Sequence, residues 1–337
     1  MKDCLLVTLA DKNYVQYAKQ LFSSAYWNAG WDGDYMLLSH EIPESDLAWF
    51  TEKGILVRRC KPLYNEAIGK EKYPPVVFNL FYLFSPEFKK WKNIIFLDGD
   101  IIVRGSLKGL TNVKGFASPN IIGDRLRYFY YNDTDTMLYS KLEKEIDLDS
   151  KAFNCGVMAF STDIIHEDLS EKLMGIFNAY QKISSGADPT LNQYFYKSWK
   201  KLPVIYDITP ENIEKYTGIP ATKIKGIIIH LKDHELADEQ KSFYKEWKAS
   251  LEKADGIDLN KVPKGIKWNI FQKVYHSGII EFKYSLYLFH YKSSHFLKYK
   301  IKPRLAYIIK TPDRLVGFSG GILKKICPSL YRKLKKQ

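Results

Sequence analysis

The sequence predicts an α/β fold, a mostly parallel central sheet flanked by helices, followed by a basic and mainly helical C-terminal extension. Short apolar runs alternate with longer amphipathic ones through residue 250, the pattern of strand–helix–strand units. Runs such as Ile94-Ile95-Phe96-Leu97 are apolar on both faces, as a buried parallel strand requires. Basic charge is confined to one end. Residues 261–337 hold 18 Lys/Arg against 2 Asp/Glu, leaving the first 260 residues with 33 basic and 36 acidic groups.

In chain order, strands are expected at Leu5–Leu9, Tyr35–Ser39, Ile55–Arg58, Asn93–Leu97, Phe153–Phe160, Leu202–Tyr206 and Ile227–His230, each short, apolar and bounded by turn or charged residues. Helices are expected at Asn13–Trp27, Glu44–Glu52, Val76–Phe84, Asp163–Gln181, Pro189–Lys197 and Gln240–Lys253. Residues 119–150 break this rhythm with Tyr128-Phe129-Tyr130-Tyr131 and then Asn132-Asp133-Thr134-Asp135; they read as an insertion over the mouth of the site. Around Gly256–Gly265 the composition shifts, dividing a catalytic domain, 1–255, from an aromatic and basic extension, 256–337.

Hydrophobic residues make up 45% of the 337 residues and charged ones 26%, which excludes a disordered chain. No run of about 18 apolar residues is present, so no membrane-spanning helix is expected. The start reads as a first strand rather than a signal peptide, because the apolar run Cys4–Ala10 is short and no small-residue cleavage site follows. Cys4, Cys60, Cys155 and Cys327 are scattered without a CxxC pair, which argues against a zinc site or disulfide framework and for a reduced, cytoplasmic protein.

The chemistry concentrates at Asn93-Ile94-Ile95-Phe96-Leu97-Asp98-Gly99-Asp100-Ile101-Ile102-Val103. Ligands of open α/β sheets bind at the carboxyl ends of strands. Two carboxylates separated by a glycine there suit a hard divalent cation such as Mn²⁺ or Mg²⁺. A solvated turn between two strands is the competing account, and it is weakened by the apolar segments on both sides, where unpaired charge is costly.

These residues, with four other segments in order, make the chain resemble the family-8 glycosyltransferases, the group of glycogenin and the bacterial lipopolysaccharide galactosyl- and glucosyltransferases. Leu97-Asp98-Gly99-Asp100 and Val103-Arg104-Gly105-Ser106-Leu107 are similar to the family's D-x-D strand and glycine turn. Ala10-Asp11-Lys12-Asn13-Tyr14 resembles its first nucleotide-binding loop. Phe153-Asn154-Cys155-Gly156-Val157-Met158 resembles its N-x-G-V strand. Asp188 with Leu191-Asn192 resembles its D-Q-x-x-L-N helix start, and Ile229-His230 the strand ending in a metal-binding histidine.

The resemblance implies a GT-A-like nucleotide-diphospho-sugar transferase fold, an Asp98/Asp100/His230 metal set and a UDP-sugar donor, UDP-glucose or UDP-galactose. It places the donor against Thr8, Ala10, Asp11, Asn13, Tyr14, Leu97, Asp98 and Gly99, and Asn154 and Asp188 around the transferred sugar. For Asp11, Asn13 and Asp188, helix capping is an equally physical role, and Tyr14 and Asn192 are candidates for the core. A lone histidine after a strand is also commonly structural.

Three departures from the family pattern stand out. Asn79 occupies the helix position where the family has lysine or arginine, and Pro189 follows Asp188 in place of glutamine. The H-x-x-G-x-x-K-P-W stretch is replaced by His230-Leu231-Lys232-Asp233-His234-Glu235-Leu236-Ala237-Asp238, leaving Lys232 as the available cation for a diphosphate. The function implied is retaining hexose transfer to a glycan or lipid-linked glycan in cell-surface polysaccharide synthesis. The alternative is a catalytically weak scaffold of the same fold. Lysines interleaved with aromatics in 261–337 point to an anionic membrane surface, on its cytoplasmic side, ahead of a simple solvated helical cap and then of nucleic acid.

Overall fold

A computed structural model describes residues 2–68, 72–231 and 242–296. Lys232 and the stretch after it to residue 241, and all residues beyond 296, lie outside the described residues. By contacts the chain divides into a unit Met1–Glu281 and a unit Phe282–Gln337.

The first unit is built on an 8-stranded sheet whose order is β3-β2-β1-β4-β8-β6-β7, with β9 pairing β6. Strands β1 (Cys4–Ala10), β2 (Asp34–His40), β3 (Leu56–Cys60) and β4 (Asn93–Leu97) run parallel to one another. β8 (Val157–Ser161) returns antiparallel to β4, and β6 (Phe116–Arg125) pairs antiparallel with β8 and with β7 (Lys151–Phe153). β9 (Lys200–Leu202) lies parallel to β6.

Period-two alternation along these strands builds two apolar layers. Leu6, Leu37, Ile95 and Leu97 face the layer that includes α1 (Val15–Ser24). Leu5, Val7, Leu38, Ile94 and Phe96 face the layer of the 75–84 segment and α4 (Leu169–Tyr180). Each fully buried side chain of this size contributes about 1.5–3 kcal/mol, so both faces of the parallel half are committed to core.

Among the described residues, the other α-helices are α2 (Glu44–Glu52), α3 (Thr136–Glu145), α5 (Asp188–Phe195), α6 (Pro210–Thr217), α7 (Ser242–Glu252) and α8 (Ile270–Phe296). A small second sheet pairs β5 (Ile101–Val103) antiparallel with β10 (Ile228–His230).

The expected elements are present, with four local differences. The strand expected at Phe153–Phe160 is two strands, because the Asn154 side chain accepts from Gly156 N–H at 2.5 Å and turns the chain there. The strand expected at Leu202–Tyr206 stops at Leu202; Pro203 carries no N–H for a ladder, and Val204–Tyr206 closes a 3₁₀ turn. Pro75–Phe84 winds as 3₁₀ rather than α-helix behind Pro74-Pro75. The helix expected from Asp163 begins at Leu169, after a separate 3₁₀ turn at Thr162–Ile164.

Of the insertion expected over 119–150, residues 119–125 are instead the end of the sheet strand β6; the rest contributes Leu126, Tyr130, Tyr139, Leu142, Ile146 and Leu148 to a small apolar cluster with Ala152, Tyr180 and Ile183. Backbone bonds from Tyr131 N–H to Ile183 O (2.8 Å) and from Ser185 N–H to Phe129 O (3.0 Å) tie this insertion to the loop before α5. In the unit Met1–Glu281, the start of α8 packs through Ile280, while Lys273 Nζ donates to Tyr206 Oη at 3.3 Å. In the second unit, α8 continues to Phe296, with Phe282, Leu286 and Phe289 exposed. Among the described residues, no helix is long and apolar enough to cross a membrane.

Candidate active site

The site follows from strand register. β1 and β4 are neighbours, with Val7 opposite Phe96, so the residues after each strand, Asp11 and Asp98, emerge at the same sheet edge. β8 runs back from this point, with Val157 opposite Leu97, and Asp98 N–H donates to Gly156 O at 2.8 Å. The pairing of β10 with β5 sets His230 opposite Ile101, and Leu231 N–H reaches Asp100 O at 3.0 Å. Residues more than a hundred positions apart therefore meet through backbone bonding alone.

Asp98, Asp100 and His230 each offer one ligand atom within 4.8 Å of the others. His230 Nε2 lies 3.3 Å from Asp100 Oδ1 and 4.0 Å from Asp98 Oδ2. Its other ring nitrogen, Nδ1, is 2.9 Å from Asp207 Oδ1, whose side chain is only 5% exposed. A carboxylate on the far ring nitrogen fixes the tautomer and leaves Nε2 as the lone-pair donor, the usual outer support of a metal-bound histidine.

Asp100 Oδ1 is buried and receives no hydrogen bond. A buried oxygen without a donor, beside a second carboxylate and an oriented imidazole, fits a divalent cation and would be costly without one. The oxygen-rich set with one nitrogen suits Mn²⁺ or Mg²⁺.

The electrostatics agree. Burial at the cleft floor pushes the Asp98 carboxyl up to about 7, with Asp100 adding to the push and His230 opposing it. With 47% of this side chain open to the cleft, solvent screens part of that push. For His230, burial alone lowers the imidazole, and the carboxylates of Asp100 and Asp207 overcome this to hold it well above its ordinary value.

Both groups thus bind protons more tightly folded than unfolded. Their stabilisation is present in acid, Asp98's below its unfolded value near 4 and His230's below about 6.5. It is lost as pH rises through their folded values. The metal-free protein is therefore expected to lose thermal stability from pH 4 to beyond pH 7. Added Mn²⁺ should restore it at neutral pH by binding the deprotonated set. A melting series with and without metal checks this; a metal-free melting point that rises steadily to pH 8 contradicts it.

A cavity of about 430 Å³ opens above these groups, lined by Leu9, Ala10, Asp11, Tyr14, Asp98, Gly99, Asp100, Cys155 and Asp188, with Tyr73, Phe96 and Phe129 among its other walls. Most of the expected residues thus share one space. Asp11 also accepts from Asn13 N–H at 2.8 Å, so it shapes its loop while facing the cleft. Asn13 is exposed, whereas Thr8 and Leu97 are buried in the sheet.

The Asn154 carboxamide serves the turn to Gly156. Asn192 is wholly structural in its bonding, accepting from Phe153 N–H and donating to Phe153 O, each at 2.9 Å. Asp188 is the first residue of α5, whose N-cap is Ala187, and it lines the cavity beside Cys155. Burial pushes the Asp188 carboxyl up from its ordinary value.

Sequence reasoning missed Asp207, the partner of His230 Nδ1. The signal for Asp207 was available, an acid directly after the apolar run Val204-Ile205-Tyr206, the same placement that drew attention to Asp98.

A mainly parallel sheet with a carboxylate pair and histidine at its carboxyl edge is the GT-A-like arrangement of nucleotide-sugar glycosyltransferases. Residues 5–233 match the family described as Glycosyl transferase family 8, and the chain belongs to that family. It is 29% identical over 124 residues to the glycosyltransferase GlyB of Streptococcus pneumoniae serotype 4, a match covering 36% of this chain and 26% of that protein.

Among solved structures, the galactosyltransferase LgtC in complex with donor and acceptor sugar analogs superposes with a TM-score of 0.55 at 13% identity, covering 77% of this chain and 98% of that one. GlyE of Streptococcus pneumoniae TIGR4 gives 0.53 at 17% identity over 77% of this chain and 63% of that chain. The bifunctional WbbM gives 0.54 at 14% identity over 77% and 52%. The chain therefore spans about a quarter of GlyB and less than two thirds of GlyE.

Proposed function

We propose that the protein is a retaining, metal-dependent hexosyltransferase that moves a hexose from a UDP-sugar to a glycan or lipid-linked glycan acceptor in cell-surface polysaccharide synthesis. The observation that carries this reading is the convergence of Asp98, Asp100 and His230, two of which, Asp98 and Asp100, line a cavity at the strand ends.

A cation held by these three side chains supplies Lewis-acid neutralisation of the charge that develops on a departing diphosphate. The chain's own groups do the positioning. Tyr14 offers a ring for a uracil base, an interaction of roughly 1–3 kcal/mol, with Asp11 beside it. Asp188 faces the sugar and stabilises positive charge at its anomeric carbon. The acceptor hydroxyl enters on the face from which UDP leaves, and the departing phosphate takes its proton, so the anomeric configuration is kept. Orientation and electrostatics then carry the rate.

Catalysis is assigned to residues 1–255, and surface attachment to 256–337. Support for attachment comes from Ile266, Ile270, Phe271, Val274 and Tyr275, all exposed apolar side chains in a segment rich in lysine. Such a face suits an anionic membrane surface on the cytoplasmic side. Cosedimentation with anionic liposomes is expected to fall at least about tenfold in a Phe271→Asp/Val274→Asp variant, whose substitutions fall on exposed positions. Undiminished sedimentation of that variant contradicts the attachment.

The catalytic reading is tested by incubating the protein with UDP-glucose, UDP-galactose and their N-acetyl forms, with Mn²⁺, and measuring UDP release. Metal-dependent release from a hexose donor is expected. No release from any donor would favour the scaffold alternative.

A further inference from the structure

We propose that the cavity between the end of β5, α7 and the segment 265–268 binds the phosphate of an anionic phospholipid headgroup. The proposal rests on the reading of 256–337 as the surface-attachment region and gives that attachment a defined site.

The cavity holds about 470 Å³, and Arg104, Lys225, Glu246, Lys253, Ile266 and Trp268 are among the residues that line it. Its walls are tied together through the backbone. Ile266 N–H donates to Asn28 O at 2.7 Å and Ser106 N–H donates to Ile266 O at 2.9 Å, so the segment 265–268 is strapped across two turns of the catalytic unit. Arg104 N–H reaches Ile227 O at 2.7 Å, and Asn28 Nδ2 donates to Val103 O at 2.8 Å. A Cβ on Gly105 would meet the Trp268 ring at 2.8 Å; the indole sits against bare backbone there, which only glycine allows.

The charge inside this frame is unbalanced. Arg104 makes a two-pronged pair with Glu246, Nε to Oε1 at 2.6 Å and Nη2 to Oε2, which cancels both charges. Glu246 is the one acid among the described residues lining the cavity, so Lys225 and Lys253, both at exposed positions, leave it cationic. Like charges along a cleft with low-dielectric walls concentrate their field on an anion, and the ammonium group is a compact donor for phosphate.

The apolar surroundings favour a lipid over a soluble anion. Ile266 lines the cavity and is itself 53% exposed. Ile270, Phe271 and Val274 follow in the first turns of α8 at 77, 71 and 64% exposure. Side chains of this kind beside a cationic cavity receive acyl chains while the lysines receive the headgroup, the division of an interfacial site.

The test is cosedimentation of the full chain with vesicles of phosphatidylglycerol in phosphatidylcholine, titrated in lipid, with melting points as the folding control. Lys225→Ala/Lys253→Ala is expected to weaken binding about tenfold more than Lys264→Ala/Lys267→Ala, a pair that removes the same charge from exposed positions outside the cavity. Equal losses for the two pairs overturn the cavity as a headgroup site and leave surface attachment intact. Wild-type protein that does not sediment with these vesicles overturns the attachment itself. Inorganic phosphate that raises the melting point of the wild type but not of Lys225→Ala/Lys253→Ala, with equal vesicle binding by the two pairs, assigns the cavity to a soluble phosphate and overturns the lipid source.

Discussion

Asp98→Ala and Asp100→Ala are each expected to reduce sugar transfer by about 1,000-fold or more while leaving the far-UV signature and cooperative melting intact. The magnitude follows from the several kcal/mol that a Lewis-acid cation contributes to transition-state charge, each 1.36 kcal/mol being tenfold in rate. The fold survives because neither carboxylate is part of the apolar layers. The site in fact concentrates Asp98, Asp100, Asp188 and Asp207 around one imidazole, so removing one acid relieves repulsion in the metal-free state. A small rise in melting temperature without metal is consistent with the account. Near-wild-type transfer by either variant in the presence of a chelator contradicts it.

The second large effect is expected at a residue that carries no functional group. A methyl placed on Gly156 would run into His230 Cε1 and lie 2.9 Å from both Asn154 Oδ1 and Asp98 Oδ2. The first two of these neighbours are held in place, and the third is a ligand of the cation set. Asn154 holds the turn, the His230 ring is held by Asp207, and the Asp98 backbone bonds to Gly156 itself. Gly156→Ala should therefore spread the cation set rather than simply strain it. We expect Mn²⁺ affinity to fall about 100-fold, at the upper end of what disturbed support of a metal ligand costs. The stability loss should be about 1–3 kcal/mol, typical of overpacking. Calorimetric titration with Mn²⁺ and a melting curve measure the two quantities, and unchanged affinity would mean that the ligands reorganise freely.

Most of the parallel half was legible because its information is local. Leu5–Val7 and Ile94–Leu97 are apolar on both faces, and the D-G-D placement after the second of them locates the cleft without knowledge of any other strand. The cation set was legible only through the resemblance, since a histidine ending an apolar run does not announce that β10 will pair with β5. Asp207 was missed because its value lies in a contact with His230, 23 positions away. It also follows a 3₁₀ turn that had been read as continuous strand.

The turn at Asn154–Gly156 was hidden by the apolar residues on both sides, which suggest one long strand. Only the side-chain bond of Asn154 reveals the break. Asn79, expected as a lost cation near the donor, is wholly buried, its Nδ2 2.7 Å from His40 Nδ1. Its change from the family's basic residue is thus absorbed in the core, against His40. Lys232 lies outside the described residues.

The central claim is that Asp98, Asp100 and His230 hold one divalent cation on which the diphosphate of the donor sits. It is tested most directly by titrating Mn²⁺ into the protein with and without UDP, following free Mn²⁺ by electron paramagnetic resonance. The account predicts one bound Mn²⁺ per chain, bound more tightly with UDP present and lost in Asp100→Ala. Equal Mn²⁺ affinity with and without UDP, or binding that survives in Asp100→Ala, would contradict it.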